Sequence, residues 1–154
     1  MPTSVETIWE TIAREAERES SLWAAALRAP EDRDAVAVFS PLADERFALG
    51  VESIYEGYLL HYGRPRLFSL ADRDSAILLG DYLYAHGLVR ITALGDVDAV
   101  ARLAELLSLC THLRAEGAEG DGQAWADTIG ALGDSEPHPE ALERALALHA
   151  ERVV

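Results

Sequence analysis

Residues 75–94, Ser-Ala-Ile-Leu-Leu-Gly-Asp-Tyr-Leu-Tyr-Ala-His-Gly-Leu-Val-Arg-Ile-Thr-Ala-Leu, constrain the fold of this chain more than any other stretch. At helical spacing Ala76, Gly80, Leu83, Tyr84, Gly87, Ile91 and Leu94 form one stripe, while Ile77, Leu78, Leu79, Leu88 and Val89 cover much of the remaining circumference. A helix apolar on most sides is expected at the centre of a fold, packed on more than one face. Gly80 and Gly87 each cost about 1 kcal/mol of helix propensity relative to Ala, so their place on the stripe predicts a close approach by another helix backbone. Asp81 is the only acidic group between Ser75 and Arg90. A carboxylate in so apolar a span requires a hydrogen-bond donor.

The rest of the chain repeats the helical period. Thr3-x-x-Glu6 is a capping box, and Val5, Ile8, Trp9, Ile12, Ala16, Trp23 and Leu27 carry a first amphipathic helix up to Pro30. Ser40-Pro41 supplies an N-cap with proline at the first helical position for a second helix, with Leu42, Phe47, Val51, Ile54, Tyr55, Tyr58 and Tyr62 in register and Gly63 and Pro65 at its end. Asp72 or Asp74 caps the helix of residues 75–94, and Gly95 closes it. Asp96 caps a fourth, with Val100, Leu103, Ala104, Leu107, Cys110 and Leu113 facing inward until Gly117. Residues 116–122 read as a flexible acidic linker before the last two helices, 123–132 with Trp125 and Ile129, and 140–152 with Leu142, Ala145, Leu146 and His149 on one side. No window shows strand alternation. The expected architecture is all-α, about six helices, in a single domain over residues 1–154.

Charge removes several classes of function. With 27 acidic residues against 13 basic ones, all arginine, the net charge is −14. Such a surface repels nucleic-acid phosphates and anionic lipids, so neither is expected as a primary partner. The absence of lysine removes P-loop and Schiff-base chemistry. No apolar run reaches the roughly 18 to 20 residues of a membrane span, and the N-terminus lacks the basic region and apolar block of a signal peptide, so a cytoplasmic location is expected. The single cysteine, Cys110, allows no internal disulfide and reads as a small buried hydrophobe. His61, His86, His112, His138 and His149 are scattered, without the His-Glu-x-x-His or Glu-x-x-His spacing of a metal site, and nucleophile-elbow and glycine-rich phosphate motifs are absent. Tyr55, Tyr58, Tyr62, Tyr82 and Tyr84 cluster on the second helix and on that of residues 75–94. They either fill an inter-helix core or line an apolar groove or partner interface.

With both helices in view, residues 47–116 resemble the trans-prenyl diphosphate synthases. Ile77-Leu-Leu-Gly-Asp-Tyr-Leu83 is similar to that family's Ile-Leu-Ala-Gly-Asp-x-Leu helix, and Leu94-Gly-Asp-Val97 followed by Val100, Leu103, Ala104 and Leu107 to its next turn and helix. The family's Glu-x-Ile-His, then Leu-Ile-His-Asp-Asp-x-x-Asp, is matched in register by Glu52-x-Ile54-Tyr55 and Leu59-Leu60-His61-Tyr62-Gly63-Arg64-Pro65-Arg66. The departures carry the inference. Where the family places three aspartates that hold Mg²⁺ on the allylic diphosphate, this chain has Tyr62, Gly63 and Arg66, and the 154 residues hold no second aspartate-rich motif and no Gly-Gly-Lys-x-Arg-Pro segment. Magnesium needs oxygen ligands, which an arginine cannot supply.

Within that family the resemblance is to the small, non-catalytic subunit of heteromeric medium- and long-chain synthases. It implies a chain that binds no cofactor, with Mg²⁺ on a catalytic partner subunit. Helices 43–62 and 75–94 would complete the partner's fold, support its activity and help set product length in making isoprenoid chains such as quinone side chains. Tyr55, Tyr58, Tyr62, Asp81, Tyr82 and Tyr84 are then candidate interface or chain-length residues beside an isoprenoid at the interface, and Arg64 and Arg66 candidate anion contacts. The alternative is a stand-alone helical homodimer that holds an apolar isoprenoid or a partner protein without reaction. A metal-dependent helical enzyme built on the scattered histidines and carboxylates is a third reading.

Overall fold

Four helices among the described residues start where a Thr, Ser or Asp side chain takes up an orphan backbone N–H. The computed structural model describes residues 5–153, and among them runs α1 (Ile8–Glu19), α2 (Ser21–Ala26), α3 (Ala48–Tyr62), α4 (Arg73–Ala93), α5 (Val97–Ala115), α6 (Asp121–Gly130) and α7 (Pro139–Arg152). Thr7 Oγ1 accepts from the Glu10 amide at 3.1 Å to open α1, Asp72 from Ser75 at 3.1 Å to open α4, and Asp96 from Ala99 at 2.9 Å to open α5. The fold is all-α, and none of these helices is long and apolar enough to cross a membrane.

Several boundaries differ from the sequence reading. The Thr3 capping box lies outside the described residues; α1 is capped by Thr7, and Val5 is exposed. The first helix is divided at Ser20, whose extended backbone ends α1 and whose hydroxyl accepts from the Leu22 amide to begin α2, turning Trp23 and Ala26 into the core. Ser40-Pro41 opens only a single 3₁₀ turn, Ser40–Leu42, because Ala43 is extended; a second turn, Glu45–Phe47, leads into α3. On α5 it is Leu106 that is buried, while Ala104 is exposed. Residues 116–120 join α5 to α6, which starts at Asp121 rather than 123. Gly117, at φ 65°, ends α5 in a Schellman turn, with Ala118 N–H bonded to the Leu113 carbonyl at 2.8 Å and Gly117 N–H to that of Arg114 at 3.2 Å.

The largest correction concerns which helix is central. Every residue from Gly50 to Leu60 is buried, so α3, not α4, is the axis of the fold. On one side α3 packs with α5, α6, α7 and the 3₁₀ turns through Phe39, Tyr55, Tyr58, Leu103, Trp125 and Ile129. Its other side, with α1, α2 and α4, encloses Ile12, Ala16, Trp23, Leu60, Phe68, Leu79 and Leu83. The α3–α4 contact is antiparallel and sewn by two reciprocal glycine pairs. A Cβ on Gly57 would stand 2.7 Å from the Gly80 carbonyl oxygen, and one on Gly87 would stand 2.8 Å from that of Gly50. The close approach expected at Gly80 and Gly87 is therefore to α3. Only one face of α4 is used in this way. Leu78 remains 58% exposed and Val89 64%, so α4 is a flank with an uncovered apolar side.

Candidate functional site

Two regions hold the residues singled out in the sequence: the end of α3 and the outer face of α4. The first begins with two glutamates one helical turn apart on α3, Glu52 and Glu56, both buried in a helix whose centre is otherwise apolar or aromatic apart from Ser53. Arg66, also buried, reaches back to them. Its Nε donates to Glu56 at 3.0 Å, one terminal nitrogen to Glu52 at 3.1 Å and to the Val36 carbonyl at 2.9 Å, and the other to the Glu52 carbonyl at 3.2 Å. The guanidinium also lies over the rings of Trp9 and Tyr55, at 4.7 and 5.1 Å. The carboxylates accept further from the backbone N–H groups of Val38, Arg66 and Leu67. Burial works against the charge on Arg66, but attraction by Glu52 and Glu56 outweighs it and holds its pKa above the usual value. Arg66 therefore cannot serve as an anion contact, since its donors are already committed to the interior of its own chain.

The positions before it are closed as well. Gly63 caps α3 and forms an isolated bridge with Val153, and Arg64 N–H donates to the Arg152 carbonyl at 2.8 Å. A Cβ at Gly63 would collide with that same carbonyl oxygen, so only glycine lets the end of α7 lie across the end of α3. Tyr62 is half-buried, its ring 4.9 Å from that of Tyr58 and under the Arg114 guanidinium at 5.4 Å. Arg64 alone of the candidate cations is exposed. It lines a cleft of about 310 Å³ with Arg28, Arg152, Asp32, Asp34 and Glu151, where Asp34 is ion-paired with Arg152. Arg66 also borders the cleft, but its guanidinium is held by Glu52 and Glu56, so the three carboxylates stand beside the three other arginines and the cleft has little selective attraction for an anion.

Tyr55 and Tyr58 are fully buried, which removes them as interface or chain-length residues. Each hydroxyl belongs to a network that ties α6 and α7 to α3. Tyr55 meets His149 Nδ1 at 2.7 Å, His149 Nε2 lies 3.1 Å from Asp121, and Tyr58 donates to Asp121 at 2.6 Å while accepting from Arg114 at 3.2 Å. Arg114 completes the network with a 2.6 Å bond to Asp121. Tyr55 at Nδ1 and Asp121 at Nε2 leave both ring nitrogens of His149 with a partner. Burial opposes ionisation of Asp121, yet bonds from His149, Tyr58 and Arg114 outweigh it and hold the carboxyl well below its ordinary value. Cys110, packed beside this network, has its thiol pKa pushed up to about 11, chiefly by burial, so it is a poor nucleophile.

The outer face of α4 is different in kind. Asp81 sits there with its side chain 60% exposed; His61 Nε2 lies 3.1 Å away, out of line for a hydrogen bond, with its ring stacked on Tyr84 at 5.0 Å. The protein group that meets Asp81 is thus His61, in ion-pair range of its exposed carboxylate. Tyr84 is half-buried beside this face. Tyr82 lies elsewhere on α4, against Trp23 and His86 at 6.3 and 5.3 Å. Among the described residues no cluster of three or more His, Cys, Asp or Glu side chains is arranged to hold a metal ion, and Tyr62, Gly63 and Arg66 offer no carboxylate to one.

No family model, curated protein or solved structure matches the chain.

The sequence reading missed Glu56, Asp121 and His149 as determinants. Glu56 was signalled by its i, i+4 spacing from Glu52 in an apolar helix. Asp121 and His149 bond to partners 63 and 94 residues away, a relation that local patterning does not carry.

Proposed function

We propose that this chain is a non-catalytic subunit of a heteromeric polyprenyl diphosphate synthase, supporting a catalytic subunit and helping to set the length of its isoprenoid product. The observation that carries the reading is the end of α3. At the positions matched to the family's magnesium-binding aspartates stand a packed tyrosine, a glycine pressed against the end of α7, and an arginine turned into the core. Ionisation of an allylic diphosphate needs metal ions and cationic groups to take up the charge on the departing oxygens. Here the one arginine in register, Arg66, is already ion-paired with Glu52 and Glu56.

A chain built this way contributes surface rather than chemistry. The surface proposed for this is the outer face of α4, where Leu78 and Val89 are exposed, with Tyr84 half-buried on the same helix and Tyr62 at the end of α3. Mg²⁺ and both diphosphates would then belong to the catalytic partner, and Tyr62 and Tyr84 are the tyrosines placed to limit a growing chain by bulk.

The test is co-expression with a catalytic subunit carrying both aspartate-rich motifs from the same genome. A stoichiometric complex by native mass spectrometry is expected, and Val89→Glu should dissolve it. Failure of the two chains to co-purify in any ratio would count against the reading.

A further inference from the structure

A second cleft, of about 270 Å³, adjoins the one that Arg64 borders, sharing Arg28 and Pro65 with it, and its charge is of one sign. Arg28, Arg73 and Ser69 line it together with the buried Leu60 and Phe68, and no carboxylate does. That lining stands out on a chain with 27 acidic residues against 13 arginines. The acids nearest in sequence are Asp72 and Asp74. Asp72 caps α4, its carboxylate accepting from the Ser75 amide at 3.1 Å and the Ser75 hydroxyl at 2.6 Å, and exposed Asp74 does not line the cleft. Asp32, Asp34 and Glu151 line the neighbouring cleft, where Asp34 is held by Arg152. The Arg28 guanidinium donates to the Pro65 carbonyl at 3.4 Å, a long bond. Arg73 is exposed at the first position of α4, where the helix dipole disfavours a cation and an anion in the cleft would favour one.

We propose that this cleft binds a small phosphate-type dianion, free or esterified to a small organic group, with Arg28 and Arg73 as its cations and Ser69 as a further hydrogen-bond donor. A guanidinium can give a phosphate two parallel N–H bonds. The backbone that carries two of these groups is fixed: Arg28 N–H donates to the Leu67 carbonyl and Ser69 N–H to the Ala26 carbonyl, each at 2.8 Å, around a bridge between Leu27 and Phe68. Volume sets the size of the ligand. About 270 Å³ lies below the roughly 300 to 1,000 Å³ of clefts that take drug-sized ligands, so a phosphate with few atoms beyond it fits and a nucleotide does not. The site does not rest on the prenyl synthase reading.

The experiment is isothermal titration calorimetry of the full chain with inorganic phosphate and with glycerol 3-phosphate, at constant ionic strength and mildly alkaline pH. Saturable binding of at least one of them is expected, and the tighter of the two tells a free from an esterified ligand. Arg28→Gln and Arg73→Gln should each weaken it by about tenfold or more. Arg102→Gln, which removes an exposed arginine of α5 that does not line the cleft, should leave it unchanged. No binding of either anion would overturn the proposal, as would wild-type affinity in Arg73→Gln or an equal loss in Arg102→Gln, which would mean diffuse attraction to any arginine. Arg73→Gln takes a cation off the first turn of a helix, so it should fold with a Tm no lower than that of the wild type and keeps the test decisive if Arg28→Gln does not fold.

Discussion

Arg66 is worth more to stability than its single charge suggests, because two buried carboxylates depend on it. Replacing it with Met removes the cation and leaves Glu52 and Glu56 facing each other without water, so the variant should lose about 3–5 kcal/mol in urea denaturation. Arg66→Lys should recover only part of this, since one ammonium cannot reproduce a fork that bonds Glu52, Glu56 and two carbonyls. Asp121 gives a second, pH-dependent test. Its native pKa is depressed below an ordinary value of 3.8, so its stabilisation is complete above that pH and is lost as pH falls below it toward the native value. Asp121→Asn should therefore cost about 2 kcal/mol at neutral pH, and the gap to wild type should narrow as denaturation is followed into the acid range. An unchanged gap would show that Asp121 is not held ionised by Tyr58, Arg114 and His149.

At the scale of elements, the α3–α4 suture decides how the two halves of the core meet. Ala at position 57 gains about 1 kcal/mol of helix propensity, but its methyl would stand 2.7 Å from a backbone carbonyl on α4. Overpacking of that kind costs about 1–3 kcal/mol, so Gly57→Ala should lower Tm by several degrees in a thermal melt, whereas a gain in Tm would mean that the helices can separate freely. This suture was half legible in the sequence: Gly80 and Gly87 on one stripe announced a close neighbour, but not that the neighbour was α3 or that α3, with two acids in its middle, would be the buried one. Apolar content ranked α4 as the central helix. Burial instead followed α3, because Arg66 and three backbone N–H groups satisfy its carboxylates. The starts of helices were the least legible feature, since a Ser-Pro pair suits a single 3₁₀ turn as well as a helix, and Ser20 can end one helix and begin another. The tyrosines divide for the same reason. Periodicity put Tyr55 and Tyr58 on an inward face, while the residues that fix their hydroxyls lie on α6 and α7, far along the chain.

The whole molecule pairs a sealed end with an open flank. At the sealed end Gly63 meets Val153 and Arg66 meets Glu52 and Glu56. The open flank is a helix face with exposed Leu78 and Val89 between and beyond Asp74 and Asp81, on a chain of net charge −14. Sealing is itself testable: Gly63→Ala should lift the end of α7 from the end of α3 and raise amide exchange around Arg64 and Val153, while leaving the α3–α4 suture protected. The all-α class was readable from sequence, and the ion pairs at the end of α3 became visible only once Arg66 could be followed into the core. The most direct measurement of the central claim is condensation of labelled isopentenyl diphosphate with an allylic diphosphate, run with this chain alone, with a catalytic subunit alone, and with both. The account predicts no product from this chain alone and a longer or more abundant product from the mixture than from the catalytic subunit by itself. Turnover by this chain alone would contradict it.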